Sequence, residues 1–464
     1  MQPFSTISIC RKTLAALFVC SSVLFPQDEP ARMPTMQRAA SISFEALPLF
    51  SPDDSTQSLV YVHYRIREDF FIVLRNIESI LPNDFLAKGD LLIELRNDEG
   101  TSVGRYMRSI ILKRSLMPDE NELPNDLQGA ASFSVPPGVY SVFFNVEDRQ
   151  SQRSFTSKDK TVKTRSPAGE FDVSAPVFVA GPPASTAESP SFLALNYGTD
   201  VFFGERGGML LSVWTPPGSP AVTTRYVLTL QPGFKGLDTF EVSGKEILVM
   251  DGVPQLLAGQ ADTLNSTEDS VKYAVRPSGP RWKTVFLPLP LEKLQPGKAE
   301  MKIDLSAGTT TKTIQPQFRV LWLNQPISLR DPDLAIDALQ HIASAEEMDA
   351  LRSLSQSRSV QRFFNFWEKR DPDTTSAYNE MMTEYYRRVD AAIRLYSTPN
   401  EFDGYKTDRG RIYVLYGTPA NNERLFSPNQ PPREVWTYST IKRRFIFEDR
   451  RKNGRYALIA VENL

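Results

Sequence analysis

Short runs in which apolar and polar residues alternate dominate the first two thirds of the chain. Leu59–Ile66 alternates at every second position, and Leu91–Leu95 is apolar apart from one glutamate. Asn97–Gly100 supplies a hairpin turn, and Pro136–Gly138 separates two further runs. A two-residue period interrupted by turn signals is typical of antiparallel sheets. The pattern predicts a β-rich region of sandwich type.

A segment rich in Pro and Ser divides this β-rich region. Residues 181–191 have the composition of a linker. Strand-like runs continue after it, for example Met209–Trp214 and Met301–Leu305. We therefore expect two antiparallel β-sandwich domains of immunoglobulin-like shape, at 44–180 and 192–325.

The period becomes helical after Asp331. Asp331 followed by Pro332 is a good helix start, and Ser344–Glu347 has the pattern of a capping box. The longest helix is predicted over 376–396. Short strands are predicted after it, at 411–416, 434–438, 444–448 and 456–461. The third domain, 326–464, is therefore expected to be α+β, with helices packed on a small antiparallel sheet.

Composition limits the function classes. The chain has 464 residues, 41% of them hydrophobic and 23% charged, which suits a soluble protein of two or three domains. The net charge of −2 creates no general attraction for nucleic acid, and we expect no nucleic-acid partner.

The N-terminus has the features of a bacterial export signal. Arg11 and Lys12 precede the apolar run Leu14–Phe25, which is too short to span a bilayer comfortably. We predict a signal peptide at 1–26 and a tether at 27–43, with no transmembrane span in the mature chain. The expected location is the periplasm, the outer membrane surface or the exterior.

Both cysteines, Cys10 and Cys20, fall in this segment. Its removal would leave the mature chain without disulfides, a cysteine nucleophile or thiolate metal sites. Leu17–Cys20 is similar to a lipoprotein box, which makes Cys20 a candidate for a lipid anchor. The valine before Cys20 is unfavourable for processing, and the alternative is that Cys20 is an apolar residue of the signal core.

Several motifs of the last third resemble, in order, the elements of the GWxTD-domain family, with Tyr405 where the family usually has Trp. They are Phe366–Pro372, Asn379–Glu380, Tyr385–Val389, Gly404–Asp408, Tyr416–Pro419, Val435–Tyr438 and Phe445–Asp449. The family has no established activity, so the resemblance implies an exported protein of this architecture rather than a reaction.

Ionisable residues stand among the apolar anchors of these motifs. Together with nearby polar and aromatic side chains they form the candidate site: Arg370, Asp371, Asn379, Glu380, Arg387, Tyr405, Asp408, Arg409, Arg411, Tyr416, Trp436 and Asp449. One interpretation is a structural network that fixes helix to sheet. The other is a polar groove in which arginine grips a carboxylate or phosphate.

The residues for catalysis are few. His63 and His341 are the only histidines, and the chain contains no P-loop, no G-x-G-x-x-G and no G-x-S-x-G. We expect no metal site and no cofactor. A carboxylate pair drawn from Asp371, Glu380 and Asp408 is the one catalytic alternative.

Two basic turns flank the strand that begins near Phe445. Lys442–Arg444 and Arg450–Lys452 could meet RNA or an acidic lipid surface. The interpretation favoured by the sequence is a solvated hairpin end whose charges discourage edge pairing.

These observations predict a non-enzymatic envelope protein that binds a partner protein or an envelope ligand through its C-terminal domain. The alternative is a carboxylate-based hydrolase that acts on an envelope polymer.

Overall fold

The computed structural model describes residues 42–464, except 80–83, 115–125, 159, 185–189, 196, 197, 220, 234–236, 258–269, 324, 353–355, 400 and 429. The predicted signal peptide, nearly all of the tether, and both cysteines therefore lie outside the described residues. No helix among the described residues combines the length and apolar character that crossing a membrane requires.

The first part of the described chain consists of strands. They are β1 (Ile42–Phe50), β2 (Ser58–Arg67), β3 (Leu74–Arg75), β4 (Phe85–Asn97), β5 (Ser102–Arg114), β6 (Asp126–Val135), β7 (Gly138–Asp148), β8 (Ser154–Thr156) and β9 (Lys160–Thr164). Sheet I has the order β1-β2-β6. Sheet II has the order β3-β4-β7-β8, with β5 on β4 and β9 on β7.

A second group of strands follows. They are β10 (Asp172–Val173), β11 (Val177–Ala184), β12 (Ser191–Ala194), β13 (Val201–Phe202), β14 (Gly207–Trp214), β15 (Thr223–Pro232), β16 (Phe240–Gly244), β17 (Leu248–Asp251), β18 (Val253–Leu257), β19 (Lys272–Arg276), β20 (Trp282–Leu289), β21 (Gly297–Ala307), β22 (Thr310–Ile314) and β23 (Gln317–Leu321). Sheet III has the order β17-β20-β14-β11-β12-β19-β18, with β10 on β14. Sheet IV has the order β13-β23-β21-β15-β16, with β22 on β21.

The C-terminal part contains helices and a small sheet. These elements are α1 (Pro332–Ala338), α2 (Ala345–Arg352), α3 (Gln356–Glu368), α4 (Glu380–Tyr396), α5 (Asp408–Tyr416), β24 (Asn421–Leu425), β25 (Arg433–Tyr438), β26 (Arg443–Glu448) and β27 (Ala457–Asn463). Sheet V is antiparallel, with the order β24-β25-β26-β27. The predicted division into a mostly antiparallel β region and a C-terminal region of helices with a small antiparallel sheet is confirmed.

Sheet I is a middle layer because strand β2 is buried on both faces. Val60 and Val62 belong to the core shared with sheet II, whereas Tyr61, with Leu47 and Leu49 of β1, belongs to the core shared with sheet III. The alternation predicted for Leu59–Ile66 therefore does not mark one buried and one exposed face, and burial on both faces explains why apolar residues stand at consecutive positions in Leu59–Val62. Sheet III in turn shares its other core with sheet IV, so the sheets stack in the order II, I, III, IV.

The segment predicted as a linker is part of a hairpin at both of its ends. Gly181 to Ala184 complete β11, Ser191 begins β12, and these two strands pair antiparallel within sheet III. Residues 185–189 lie outside the described residues. The Pro- and Ser-rich composition therefore marks the connection between two paired strands. Sheet III already begins at Asp172, before the segment predicted as a linker.

Ionisable side chains lie in the seam between sheets I and III. Glu45 of β1 is paired in register with His63 of β2, and His63 Nε2 lies 2.6 Å from the hydroxyl of Tyr273 on β19. Burial raises the pKa of Glu45 to about 7, and the same effect lowers the pKa of His63 to about 4. At neutral pH this seam therefore holds an uncharged imidazole beside a carboxyl group that keeps its proton to a higher pH than an ordinary glutamate does.

Local signals in the sequence placed two helix starts correctly. The Asp331 side chain accepts hydrogen bonds from the N–H groups of Asp333 and Leu334, with Pro332 at the first helical position. The capping box is also confirmed, since Ser344 N–H donates to Glu347 Oε2 and Glu347 N–H donates to Ser344 Oγ, at 2.9 and 3.2 Å.

Helix α4 begins later than the predicted 376. Asn379 caps it by accepting the N–H of Met382 at 2.7 Å. Tyr378, which falls inside the predicted range of 376–396, lies before the helix and packs against Phe203 and Trp322 of the β region. The backbone N–H of Ala377 donates to Glu292 O at 2.5 Å. These contacts with the β region hold residues before Asn379 out of the helix.

The strand predicted at 411–416 is wrong, because these residues belong to helix α5. The β-branched and aromatic residues there favoured a strand. In the structure Val414 enters the core formed by the helices, and Ile412 enters the core beneath sheet V. Packing on both sides outweighs intrinsic preference.

We predict that Glu45→Gln changes how stability depends on pH. Because the pKa of Glu45 is raised in the folded protein from its ordinary value of 4.5 to about 7, its contribution to the free energy of unfolding is complete at low pH and is lost as pH rises from 4.5 through 7. Between these two pH values the loss is about 1.4 kcal/mol for each pH unit. Urea unfolding at pH 5, 6 and 7.5 should show the free energy of unfolding falling more steeply for the wild type than for the variant.

Glu241→Gln is the matched control, because Glu241 is exposed on β16. Its curve should run parallel to that of the wild type. Parallel curves for Glu45→Gln as well would contradict a carboxyl group that takes up protons on folding.

Candidate functional site

The motif Gly404–Asp408 forms a tight joint, which we call the signature turn. Gly404–Lys406 is one turn of 3-10 helix, and Thr407 then caps helix α5. The Thr407 hydroxyl donates to Gly404 O at 2.7 Å and accepts the N–H of Gly410 at 2.9 Å. One hydroxyl therefore closes the turn and starts the helix.

Two glycines let this joint pack closely. A Cβ at Gly404 would lie 2.4 Å from the carbonyl oxygen of Ala392, near the end of α4. A Cβ at Gly410 would lie 1.9 Å from the carbonyl oxygen of Gly404. Both neighbours are backbone atoms, which cannot move aside as a flexible side chain could. Glycine is therefore required at both positions by close approach.

Tyr405 is buried, with 1% of its surface exposed, and its polar end is satisfied. Its hydroxyl donates to Asp337 Oδ2 at 2.7 Å, and its carbonyl oxygen lies 3.0 Å from His341 Nε2. The phenol hydroxyl is a donor here, and it reaches a carboxylate on α1.

Asp337 gathers three donors at this point. Besides Tyr405, it pairs with Lys406 at 2.7 Å and with Arg352 at 2.6 Å. Burial by itself would raise the pKa of Asp337. Hydrogen bonds from Lys406, Tyr405 and Arg352, together with the positive charge of Lys406, outweigh burial and leave the pKa below its usual value. Asp337 is therefore ionised at neutral pH and anchors the signature turn to α1.

An open groove lies on the solvent side of this cluster. It has a volume of about 750 Å³, with Ile336 and Leu351 as its buried apolar residues. Cations and acids stand along it. Its lining residues are Pro332, Asp333, Ile336, Asp337, Leu351, Arg352, Ser359 and Lys406. We call it the Lys406 groove.

Asp408 and Arg409 fasten α5 to sheet V. Asp408 Oδ2 accepts the N–H of Leu458 on β27 at 2.9 Å. The Arg409 guanidinium, 13% exposed, lies 3.3 Å from Glu434 and donates to Gly454 O at 3.0 Å. It also stacks 4.2 Å above the ring of Tyr456. A charge that is nearly buried needs several partners to replace the water it has lost, and Arg409 has a carboxylate, a carbonyl oxygen and an aromatic ring.

The aromatic members of the candidate site belong to the core. Trp436 is buried between the rings of Tyr396 and Phe447, and its indole N–H points to Glu434 at 3.3 Å. Tyr416 stacks on Phe445 with ring centroids 5.5 Å apart. These rings pack α4 and α5 on sheet V and do not form an exposed patch.

Polar members at the helix ends brace the chain. Arg370 pairs with Glu347 at 2.9 Å and lies 3.6 Å above the ring of Phe366. Asn379 also donates to Trp367 O at 2.9 Å. Asp371 accepts the N–H of Asp373 at 3.0 Å, which forms a local turn.

The remaining members are not brought into one place. Glu380 is exposed in the first turn of α4, and Arg387 pairs on the same helix with Glu384. Arg411 is exposed, 4.0 Å from Asp408. Asp449 is buried in the turn between β26 and β27, where it accepts the N–H groups of Asn453 and Gly454.

The carboxylates proposed for hydrolysis lie on separate elements. Asp371 precedes α4, Glu380 begins it, and Asp408 begins α5. None of them lines the Lys406 groove or the depression near Phe426. In the described part of the chain, no three His, Cys, Asp or Glu side chains are grouped as metal ligands would be.

Sequence reasoning missed Asp337 and Glu434. Glu434 had a local signal, since it precedes Trp436 by two residues and therefore shares its buried strand face. Asp337 had no local signal in the sequence, because its partners Tyr405 and Lys406 are almost 70 residues away along the chain.

We predict that Gly410→Ala destabilises the protein by about 1–3 kcal/mol or more, because the new Cβ would collide with Gly404 O. Denaturant unfolding measures the loss. Gly233→Ala is the control, since a Cβ there meets no atom closer than 3.4 Å. Equal stability of the two variants would contradict the close approach.

Tyr405→Phe should cost about 1–3 kcal/mol, because Asp337 loses a hydrogen-bond donor in a partly buried position. Thermal unfolding measures the change. Tyr413→Phe, which removes a hydroxyl that contacts exposed Thr418, should be nearly neutral. A neutral Tyr405→Phe would show that the hydroxyl does not hold the turn.

Comparison with known proteins agrees with the order of motifs. The GWxTD domain model matches residues 311–462. No curated protein matches the chain. A crystal structure from Corynebacterium diphtheriae, described as a membrane anchored protein, is 13% identical over 60% of this chain and 91% of that chain, with a TM-score of 0.13, too low to support an argument. Residues 311–462 of the chain therefore carry a GWxTD domain.

Proposed function

We propose that this chain is a non-enzymatic, exported bacterial envelope protein. In this proposal, two immunoglobulin-like β-sandwich units carry a GWxTD domain that binds a partner protein or an envelope ligand. One observation carries the proposal: the polar groups of the signature turn are engaged inside the fold, and the Lys406 groove lies open beside them.

Internal bonding of the signature turn argues for a frame rather than a catalytic centre. The Thr407 hydroxyl closes its own turn, and the Asp408 carboxylate accepts a backbone N–H from β27. A catalytic acid or base must reach a proton on the substrate. Groups committed to the backbone are poorly placed for that task, but they give a binding surface a rigid support.

The Lys406 groove is the part of this frame that faces solvent. Its apolar floor and its row of charged side chains fit a surface that recognises a partner through both shape and charge. Arg352 at its rim is more than half exposed, although it pairs with Asp337. A partner would therefore meet charges whose positions are already fixed, which lowers the entropy lost on binding.

The β region would serve as the carrier. Sheets I and II share one apolar core, and sheets III and IV share another, which supports two sandwich units. The predicted signal peptide and the candidate lipid anchor at Cys20 supply the route to the envelope.

Site-specific crosslinking in the native envelope tests this proposal. A photoreactive residue at Asp333, on the rim of the groove, should trap a discrete partner, whereas one at Glu241 on sheet IV should not. Arg352→Glu should abolish the trapped species. Arg225→Glu, at an exposed position of β15, is the charge-matched control and should leave it unchanged.

Two outcomes would overturn the proposal. One is equal crosslinking from Asp333 and Glu241. The other is release of soluble fragments from peptidoglycan by the purified chain, with loss of that activity in Asp371→Asn, which would identify a hydrolase.

A further inference from the structure

Three loops meet at one end of sheet V. The turn between β26 and β27 lies at the centre, with the loop before the signature turn on one side and the loop between β24 and β25 on the other. Each outer loop carries an exposed phenylalanine, and the central turn carries basic residues. We call this surface the aromatic–basic tip: Phe402, Phe426, Arg450, Arg451, Lys452 and Arg455.

Contacts hold the outer loops against the central turn. Arg455 pairs with Glu401, the neighbour of Phe402, at 3.4 Å. Phe426 lines a depression of about 460 Å³ together with Asp449 and Lys452. The two phenylalanines therefore flank the same basic turn.

The central turn is held rigidly. Asp449 accepts the N–H groups of Asn453 and Gly454, and Arg409 donates to the carbonyl oxygen of Gly454. Lys452 has the left-handed φ of 52°, which directs the chain sharply back into β27. The basic side chains thus extend from a fixed backbone.

The nearby acids do not neutralise this surface. Glu401 pairs with Arg455, and Glu448 is shared between Arg433 and Arg450. Asp449 is buried and accepts backbone N–H groups, and Asp403 pairs with Lys406. In the described part of the chain, no carboxylate pairs with the side chain of Arg451 or Lys452. The tip therefore has a net positive charge.

Phe402 and Phe426 are far more exposed than aromatic residues usually are, at 77% and 71%. Their rings contribute nothing to the core, and exposure of this much apolar area next to cations needs another explanation. A lipid bilayer accepts both features, since aromatic rings enter the interface while Lys and Arg remain at the level of the anionic head groups.

We propose that the aromatic–basic tip docks the protein on an anionic membrane surface. The basic turn at the opposite end of sheet V provides an internal comparison. Lys442 there has the same φ of 52° and is followed by Arg443, but residues 439–444 contain no aromatic ring. Basic turns alone suit solvated strand ends, so the two phenylalanines distinguish the tip.

Vesicle sedimentation with the full chain tests the proposal. The vesicles contain either phosphatidylcholine alone or equal parts of phosphatidylcholine and phosphatidylglycerol. Binding to phosphatidylcholine alone reports the charge-independent contribution of apolar groups, which include the N-terminal segment and the two phenylalanines. The gain with phosphatidylglycerol reports the contribution of the basic residues of the tip. That gain should be present at low salt and shrink at high salt, because salt screens exposed charges.

Matched variants locate the effect. Arg451→Gln with Lys452→Asn should weaken the phosphatidylglycerol-dependent binding at least about tenfold, since each cation near an anionic surface contributes roughly 1 kcal/mol. Lys442→Asn with Arg443→Gln should leave it unchanged. Phe402→Ser with Phe426→Ser should weaken binding at both salt concentrations, because insertion of the rings does not depend on charge.

Three results would overturn this inference. They are no gain with phosphatidylglycerol, an equal loss from the two pairs of cation substitutions, and no loss from the pair of phenylalanine substitutions. If the phenylalanine substitutions cause no loss, and the chain binds heparin as strongly as it binds vesicles with phosphatidylglycerol, the tip would be a site for soluble polyanions. Crosslinking at the Lys406 groove is independent of all three, so the two proposals succeed or fail separately.

Discussion

The GWxTD domain depends on the close approach of Gly410 to the carbonyl oxygen of Gly404. With no Cβ at Gly410, helix α5 can start directly against the signature turn. The helix then places Val414 in the core of the helices and Ile412 in the core beneath sheet V. A side chain at Gly410 would collide with this carbonyl oxygen and strain the start of the helix that contributes to both cores.

The polar residues around this joint satisfy one another or the backbone. Asp337 receives Tyr405, Lys406 and Arg352, and Asp408 receives the N–H of Leu458. Because a half-satisfied buried network would cost stability, complete pairing is what such a joint needs. Two surfaces beside the frame remain open to solvent, namely the Lys406 groove and the aromatic–basic tip.

Neighbouring residues also connect the helices to the β region. Tyr378 packs on Phe203 and Trp322, and the next residue, Asn379, caps helix α4. The start of the longest helix and its contact with the sheets are thus fixed by adjacent residues. Within the β region, burial of both faces of β2 joins sheets I, II and III without a linker between them.

The sequence by itself determined the features whose partners lie within a few residues. The cap at Asp331, the capping box from Ser344 to Glu347 and the hairpin turn at 97–100 are hydrogen bonds between near neighbours. Only the tertiary structure decided the helical state of α5, the partner of Tyr405 and the contact of His63 with Tyr273, 210 residues away. Each of these depends on packing against distant segments, and that packing outweighs the local preference of the chain.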